Sequence, residues 1–269
     1  YVYRIHISMS LRPKKSLGQN FLTSIPARLA IIKAGEVTPL DFVLEIGPGK
    51  GFLTEELLKS GATVVALEKD RELIPYLTEK FTSYIQEGRC ILLEGDVLQF
   101  DPSATILKEK NYKLIANIPY YITGAILSRF LSEVKQPSKM VVLVQKEVAV
   151  RVCAQDKKES LLSLSVKAYG SPLLSYKVNK GSFHPIPKVD SAVLSISSIS
   201  RNHFISKKHE EVFFELIHLG FAHKRKMMFS NMKEKYSATI HEKKFTECNL
   251  PLSVRAEDVP LNSWFLLSQ

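Results

Sequence analysis

The chain is poor in several things at once. Of its 269 residues only three are cysteine (Cys90, Cys153, Cys248), and no two form a Cys-x-x-Cys pair. That spacing argues against a disulfide framework and against a cysteine-rich zinc site. It points instead to a reducing compartment, the cytoplasm or alternatively an organellar matrix. Long apolar runs are also missing. The longest, Met140 to Val144, falls far short of the roughly 20 residues that cross a bilayer. No acidic residue precedes Glu36, and Tyr1 stands where a methionine would start a chain. An acid-poor, Arg-containing start is the composition of organellar transit segments, but a shortened chain is the stronger expectation. Residues 1–11 are expected to be an N-terminal extension.

What is present is the mixture of a protein able to bury a core, with 45% apolar and 24% charged residues. Thirty-seven basic residues against 27 acidic give a net charge of +10, which suggests nucleic acid or an anionic membrane surface as partner. The excess is uneven. Residues 1–40 carry six basic groups and one acidic, whereas residues 41–200 carry 20 against 18. Residues 201–269 carry 11 against eight, and five of those eleven fall between Lys224 and Lys235. A nearly neutral middle lies between two basic flanks. With no apolar span beside the charge, the membrane reading drops out and nucleic acid remains.

Residues 42–152 alternate between strand and helix patterns. Short apolar runs at Phe42–Ile46, Thr63–Leu67, Cys90–Leu93, Lys113–Ala116 and Met140–Val144 read as strands. Helical patterns cover Phe52–Lys59, Arg71–Phe81 and Gly124–Leu131. This order predicts an α/β fold with a mainly parallel sheet covered on both faces. Leu173–Val178 and Ala192–Ser198 read as further strands around the Pro-rich loop His184–Lys188. Helical patterns then follow at Glu210–Leu219, Lys224–Tyr236 and His241–Cys248. The expected division is an α/β domain over 12–199 and a small helical domain over 200–269.

The most informative stretch is Leu44-Glu45-Ile46-Gly47-Pro48-Gly49-Lys50-Gly51-Phe52. A strand enters a glycine-rich turn and a helix leaves it, so backbone can approach a ligand without Cβ obstruction. The spacing is GxGxG, with Phe52 where a dinucleotide site has its third glycine, which disfavours a pyrophosphate ligand. Glu68 closes the second strand, placed to accept from both hydroxyls of a ribose. Asp96 closes the third, placed to accept from an adenine amino group. Together they outline an adenosine-shaped site at the carboxyl ends of the strands. Without a phosphate-binding lysine motif, this pattern points to S-adenosylmethionine rather than NAD or ATP.

Asn117-Ile118-Pro119-Tyr120 follows the fourth strand. An exocyclic amine on an aromatic base is a poor nucleophile, because its lone pair is delocalised into the ring. If Asn117 and the Pro119 carbonyl each accept one amine hydrogen, the nitrogen moves toward tetrahedral geometry and its lone pair is freed. Tyr120 can stack on the base. Methyl transfer then needs positioning and desolvation, without a metal. In the third cluster, Phe183-His184-Pro185-Ile186-Pro187-Lys188-Val189-Asp190-Ser191, Phe183 can stack opposite Tyr120 and Lys188 can meet a phosphate. Arg12, Lys14, Lys15, Lys224, Arg225 and Lys226 supply further cations for a phosphate backbone.

Gln19-Asn20-Phe21-Leu22, the glycine loop, Glu68, Gly95-Asp96, Asn117 to Tyr120 and Phe183 to Ser191 occur in one order and spacing. In that arrangement the chain resembles the KsgA-type ribosomal RNA adenine dimethyltransferases over residues 12–269, including the closing Arg255-Ala256-Glu257 segment. The resemblance implies a Rossmann-like class I methyltransferase domain with a helical C-terminal domain. It further implies dimethylation of two adjacent adenosines in the 3′-terminal hairpin loop of small-subunit ribosomal RNA, by a monomer acting on an immature 30S-type particle. Gln19, Asn20, Leu22, Gly47, Gly49, Gly51, Glu68, Asp96 and Asn117 would then contact S-adenosylmethionine. Tyr120 and Phe183 would sandwich a flipped adenine, which costs less to extrude from a loop than from a duplex. The chain departs from the resemblance at the basic stretch Ala222–Met227, expected to be helical, and at Lys157–Val166. Two alternatives remain open: a large-subunit methyltransferase of the macrolide-resistance type, and a methyltransferase-fold assembly or transcription factor acting by binding alone.

Overall fold

The computed structural model describes residues 12–223, 225–233, 235 and 237–269. Residues 1–11, Lys224 and the side chain of Lys15 lie outside the described residues. A short 3-10 turn (Lys15–Leu17) leads into β1 (Phe21–Leu22) and α1 (Ile25–Gly35). Strand and helix then alternate through β2 (Phe42–Ile46), α2 (Phe52–Lys59), β3 (Thr63–Glu68), α3 (Leu73–Lys80), α4 (Thr82–Gln86) and β4 (Cys90–Glu94). They continue through β5 (Tyr112–Asn117), α5 (Thr123–Ser132), β6 (Lys139–Gln145), α6 (Lys146–Val152) and α7 (Leu161–Lys167). After these come β7 (Ser171–Val178), β8 (Phe183–His184) and β9 (Ser191–Ser197). The chain closes with α8 (Lys207–Gly220), α9 (Met228–Met232), α10 (Ala238–Glu247) and α11 (Leu261–Leu267).

Seven strands form one sheet in the order β4-β3-β2-β5-β6-β9-β7. The first five are parallel, and β9 inserts antiparallel between β6 and β7. Alternation along each strand sends side chains to two separate cores. Leu44, Leu114 and Val142 face one cluster, whereas Val43, Ile115 and Val141 face the other. Helices α1, α2 and α3 cover the second face through Ile31, Leu57 and Leu77. On the first face, α5 and α7 pack through Ile126, Phe130 and Leu164. Phe213, Ile217 and Trp264 of the C-terminal helices belong to that same continuous cluster. A strand buried on both faces carries apolar side chains on both, which is why these strands read as near-continuous apolar runs, interrupted in β2 by Glu45.

Local rules set the helix ends. Ser24 caps α1 by accepting from Ala27 N at 3.3 Å, with Pro26 in the first turn. Helix α3 starts at Leu73, two residues later than the pattern suggests, after a turn in which Asp70 accepts from Glu72 N at 3.2 Å. The larger difference lies in the basic stretch. Among the described residues of the pattern from Lys224 to Tyr236, only Met228–Met232 is helical. Arg225 and Lys226 lie in a turn and Met227 is extended (φ −64°, ψ 143°). The reason is tertiary: Met228 is fully buried and its N–H pairs with Val254 O at 2.9 Å, so no helical turn can precede it.

Candidate active site

Strand order reverses at β2, whose neighbours β3 and β5 lead away in opposite directions. Such a switch point leaves a crevice beyond the carboxyl ends of the strands. Here that crevice is a cleft lined by the glycine loop, Glu68, Asp96, Asn117 to Ile122 and the segment Leu17–Leu22. Gly47, Gly49 and Gly51 all have positive φ (66°, 58° and 71°). A Cβ on Gly51 would stand 2.6 Å from the Phe81 ring at the end of α3, so the chain can pass that ring only without a side chain there.

Glu68, 5% exposed, ties the loop to the end of β3. Its Oε2 accepts from Gly49 N at 3.0 Å and its Oε1 from Asp70 N at 2.8 Å. Burial raises its carboxyl above the usual range, against the pull of those backbone bonds. Each oxygen keeps a second lone pair for a ligand hydroxyl. Asp96 is different. Lys69 donates to its Oδ2 at 2.8 Å and Leu98 N to its Oδ1 at 3.0 Å, and the lysine holds it below the usual carboxylate range.

The segment over the cleft is latched by a residue that the sequence reading passed over. Asp70 accepts from Lys14 Nζ at 2.7 Å and Gln19 Nε2 at 3.0 Å, while Gln19 Oε1 accepts from Lys14 N at 2.7 Å. Burial alone would raise the Asp70 carboxyl; the Lys14 and Gln19 bonds hold it below its ordinary value. Gln19 thus lines the cleft with both ends of its amide already engaged. Lys14, expected to meet a phosphate, is paired with Asp70 and with Glu72 at 2.9 Å. Its charge is neutralised locally by the two carboxylates that anchor the segment. A second pairing fastens the roof: β1 runs antiparallel to β8, with Phe21 opposite His184 and Leu22 opposite Phe183. Elements two residues long carry no periodicity, so only the structure reveals them.

Asn117, at the end of β5, donates its Nδ2 to Asn20 O at 3.0 Å. That commitment leaves Oδ1 as an acceptor in the cleft. The Pro119 carbonyl accepts Ile122 N at 3.2 Å and retains one lone pair. Tyr120 is half-buried, and its hydroxyl shares a 2.7 Å hydrogen bond with Ser191 Oγ. Phe183 is not brought to the cleft. Only 3% exposed, it belongs to the core cluster with Phe21, Val178 and Val193, so it does not face Tyr120 across a base. Its strand position beside β1 turns the ring into the core. The exposed aromatic at the mouth is Tyr121, at 65%, a neighbour in the same turn that the sequence reading did not single out.

Another lining residue escaped notice within the strand pattern. Glu45 is 1% exposed, and burial pushes its carboxyl up to about 8. Its Oε2 has no hydrogen-bond partner. Of the proposed RNA contacts, Arg12, Lys188, Arg225 and Lys226 are exposed. Lys188 borders a second depression beside the cleft with Lys146, Arg151 and Lys180. Among the described residues there is no group of three or more metal-ligating side chains, and no helix long and apolar enough to cross a membrane.

Comparison with known proteins agrees with this geometry. The family model of ribosomal RNA adenine dimethylases matches residues 10–269. Ribosomal RNA small subunit methyltransferase A of Dehalococcoides mccartyi is 37% identical over 260 residues, covering 96% of this chain and 88% of the relative. The protein of that name from Clostridium acetobutylicum is 34% identical, over 96% and 94% of the two chains. Among solved structures, the 23S rRNA methyltransferase ErmE superposes with a TM-score of 0.75 at 24% identity, over 93% and 98% of the chains, which shows a shared fold. A Rossmann-like sheet, a GxGxG cleft at its switch point and a match along nearly the whole sequence lead to one conclusion: the chain belongs to the ribosomal RNA adenine dimethylase family and is a methyltransferase.

Proposed function

We propose that the protein transfers methyl groups from S-adenosylmethionine to the exocyclic amines of two adjacent adenosines in the 3′-terminal hairpin loop of small-subunit ribosomal RNA. The products are dimethyladenosines. The observation that carries this reading is the Asn117 amide, whose Nδ2 is held by Asn20 O at 3.0 Å. Its free Oδ1 accepts one amine hydrogen, and the remaining lone pair of the Pro119 carbonyl accepts the other. The nitrogen becomes pyramidal and its lone pair turns toward the methyl carbon. Tyr120 supports the base face. After transfer the nitrogen sheds a proton to water, and the neutral monomethyl amine can react again.

The cleft suits S-adenosylmethionine. A buried carboxyl oxygen of Glu45 lacks a partner, and Glu68 offers spare lone pairs beside a glycine-rich loop. When bound, that molecule supplies an electrophilic methyl carbon on a sulfonium that departs as a neutral thioether. Glu68 would take the ribose hydroxyls and Asp96 the adenine amine, at the cost of loosening its Lys69 pair. Gln19, Asn20 and Leu22 would close the roof, and Gly47, Gly49 and Gly51 would let backbone approach. For the RNA, exposed Arg12, Lys188, Arg225 and Lys226, with residues 200–269 as the RNA-contacting unit, would hold phosphates of an immature small subunit. A monomer suffices for this arrangement.

Mass spectrometry of small-subunit RNA after incubation with isotope-labelled S-adenosylmethionine tests the reading. Dimethyladenosine in the hairpin-loop fragment is the expected result. Label confined to large-subunit RNA, or none in either, overturns it.

A further inference from the structure

The loop from Phe183 to Ser191 reaches the cleft by a route that its sequence does not announce. Phe183 is in the core. The opposite end of the loop touches the site instead, because Ser191 Oγ lies 2.7 Å from the Tyr120 hydroxyl, 71 residues away in the chain. Ser191 is fully buried and opens β9, paired with Gln145 of β6 and Val178 of β7. Asp190 braces it: its carbonyl accepts Lys146 N at 3.0 Å and its Oδ1 accepts Lys180 N at 3.0 Å. The serine is therefore a fixed point. Tyr120 sits in a single 3-10 turn, Tyr120–Ile122, half-buried, with its hydroxyl on that serine.

We infer that Ser191 is a positioning residue, which sets the plane of the Tyr120 ring and so the depth at which a base rests against it. This rests on reading the cleft as a base-binding site. Burial raises the Tyr120 phenol above its usual value, so the hydroxyl stays protonated and the bond is a neutral one. A neutral hydrogen bond of this kind sustains a rate difference of roughly five- to tenfold. The effect belongs in kcat, because RNA affinity comes mainly from phosphate contacts and this bond joins two side chains, making no phosphate contact.

The test is a double-mutant cycle on methylation of small-subunit particles. Ser191→Ala and Tyr120→Phe each remove the same bond from opposite sides. Each is expected to lower kcat roughly five- to tenfold, with KM for RNA and the calorimetric Kd for S-adenosylmethionine within about twofold of wild type. The double variant should be no slower than the slower single one. Tyr120→Phe leaves the buried strand untouched, so it gives an answer even where Ser191→Ala folds poorly. Additive losses in the cycle, a loss confined to KM, or full activity in Tyr120→Phe each overturn the inference. Failure of wild-type protein to methylate small-subunit RNA would overturn the underlying reading instead, and the two failures are told apart by that control.

Discussion

The two ends of the cleft are built differently. At the cofactor end, backbone and side chains close in sequence: the glycine loop, Glu68 and Asp70 lie within 24 residues of each other, and Glu68 binds Gly49 N and Asp70 N directly. At the base end, two side chains are held from far away. Asn117 is tied to Asn20 across 97 residues and Tyr120 to Ser191 across 71. The contrast teaches that a rigid mould for a constant ligand can be made from one local motif. The proposed base-binding end is held in register by two long-range tethers.

The comparison can be broken most sharply at Asn117. Asn117→Ala removes the acceptor and the tether to Asn20 together, so single-turnover methylation should fall by roughly 10²–10³-fold. Binding of S-adenosylmethionine, read by calorimetry, should also weaken, through the lost tie to Asn20 in the roof, but by much less. Equal loss of both would mean that the two ends are not separable.

The cofactor end yields a pH signature. Glu45 titrates at about 8 in the folded protein against 4.5 for the free group, so the folded state holds the proton more tightly. Its stabilising contribution is complete below pH 4.5 and is lost as pH rises toward about 8. Glu45→Gln should therefore be more stable than wild type at high pH, by on the order of 3 kcal/mol between pH 5 and 8.5 in the difference of the two curves. Denaturant melts across that range measure it, and parallel curves would show that Glu45 is not held protonated.

Between the ends lies the latch. Asp70→Asn weakens the contacts to Lys14 and Gln19, and should reduce S-adenosylmethionine affinity about tenfold while amide exchange in residues 14–22 accelerates. Unchanged exchange would place the roof's support entirely in the β1–β8 pairing. The smallest effect belongs to the periphery. Arg225→Ala with Lys226→Ala should weaken RNA binding by roughly three- to tenfold at moderate salt and flatten the log–log salt slope by about two. The kcat at saturating RNA should hold, and a change in it would connect that turn to the chemistry.

How much of this was legible follows from the same contrast. The parallel strands, α2 and the glycine loop are set by local alternation and by glycines that no other residue could replace, so their residues announce them. Asp96 was found by its place at a strand end, although its partner Lys69 was not. Asp70 carried a signal that went unused, an acidic residue just ahead of a helix where such groups cap. Phe183 and Ser191 could not be sorted by pattern, because in a loop held by two prolines no periodicity says which residue turns inward. The helix expected over the basic stretch failed for a related reason: the buried Met228 and its bond to Val254 decide the backbone there, and both depend on tertiary packing.

The pairing of β1 with β8 has a consequence for time. The neighbouring bond from Thr23 to Ser182 closes a loop of 159 residues, and only a handful of hydrogen bonds reward that closure. Long loops carry an entropic cost that must be met before their contacts form. The five parallel strands β2 to β6, joined by short crossovers, can assemble beforehand, whereas β9 joins the sheet only after His184. During synthesis, then, the roof of the cleft cannot be fastened until the chain has grown past His184, although the glycine loop and Glu68 emerged long before. The protein is expected to acquire its parallel strands early and its grip on the methyl donor later, once β8 and β9 are in place.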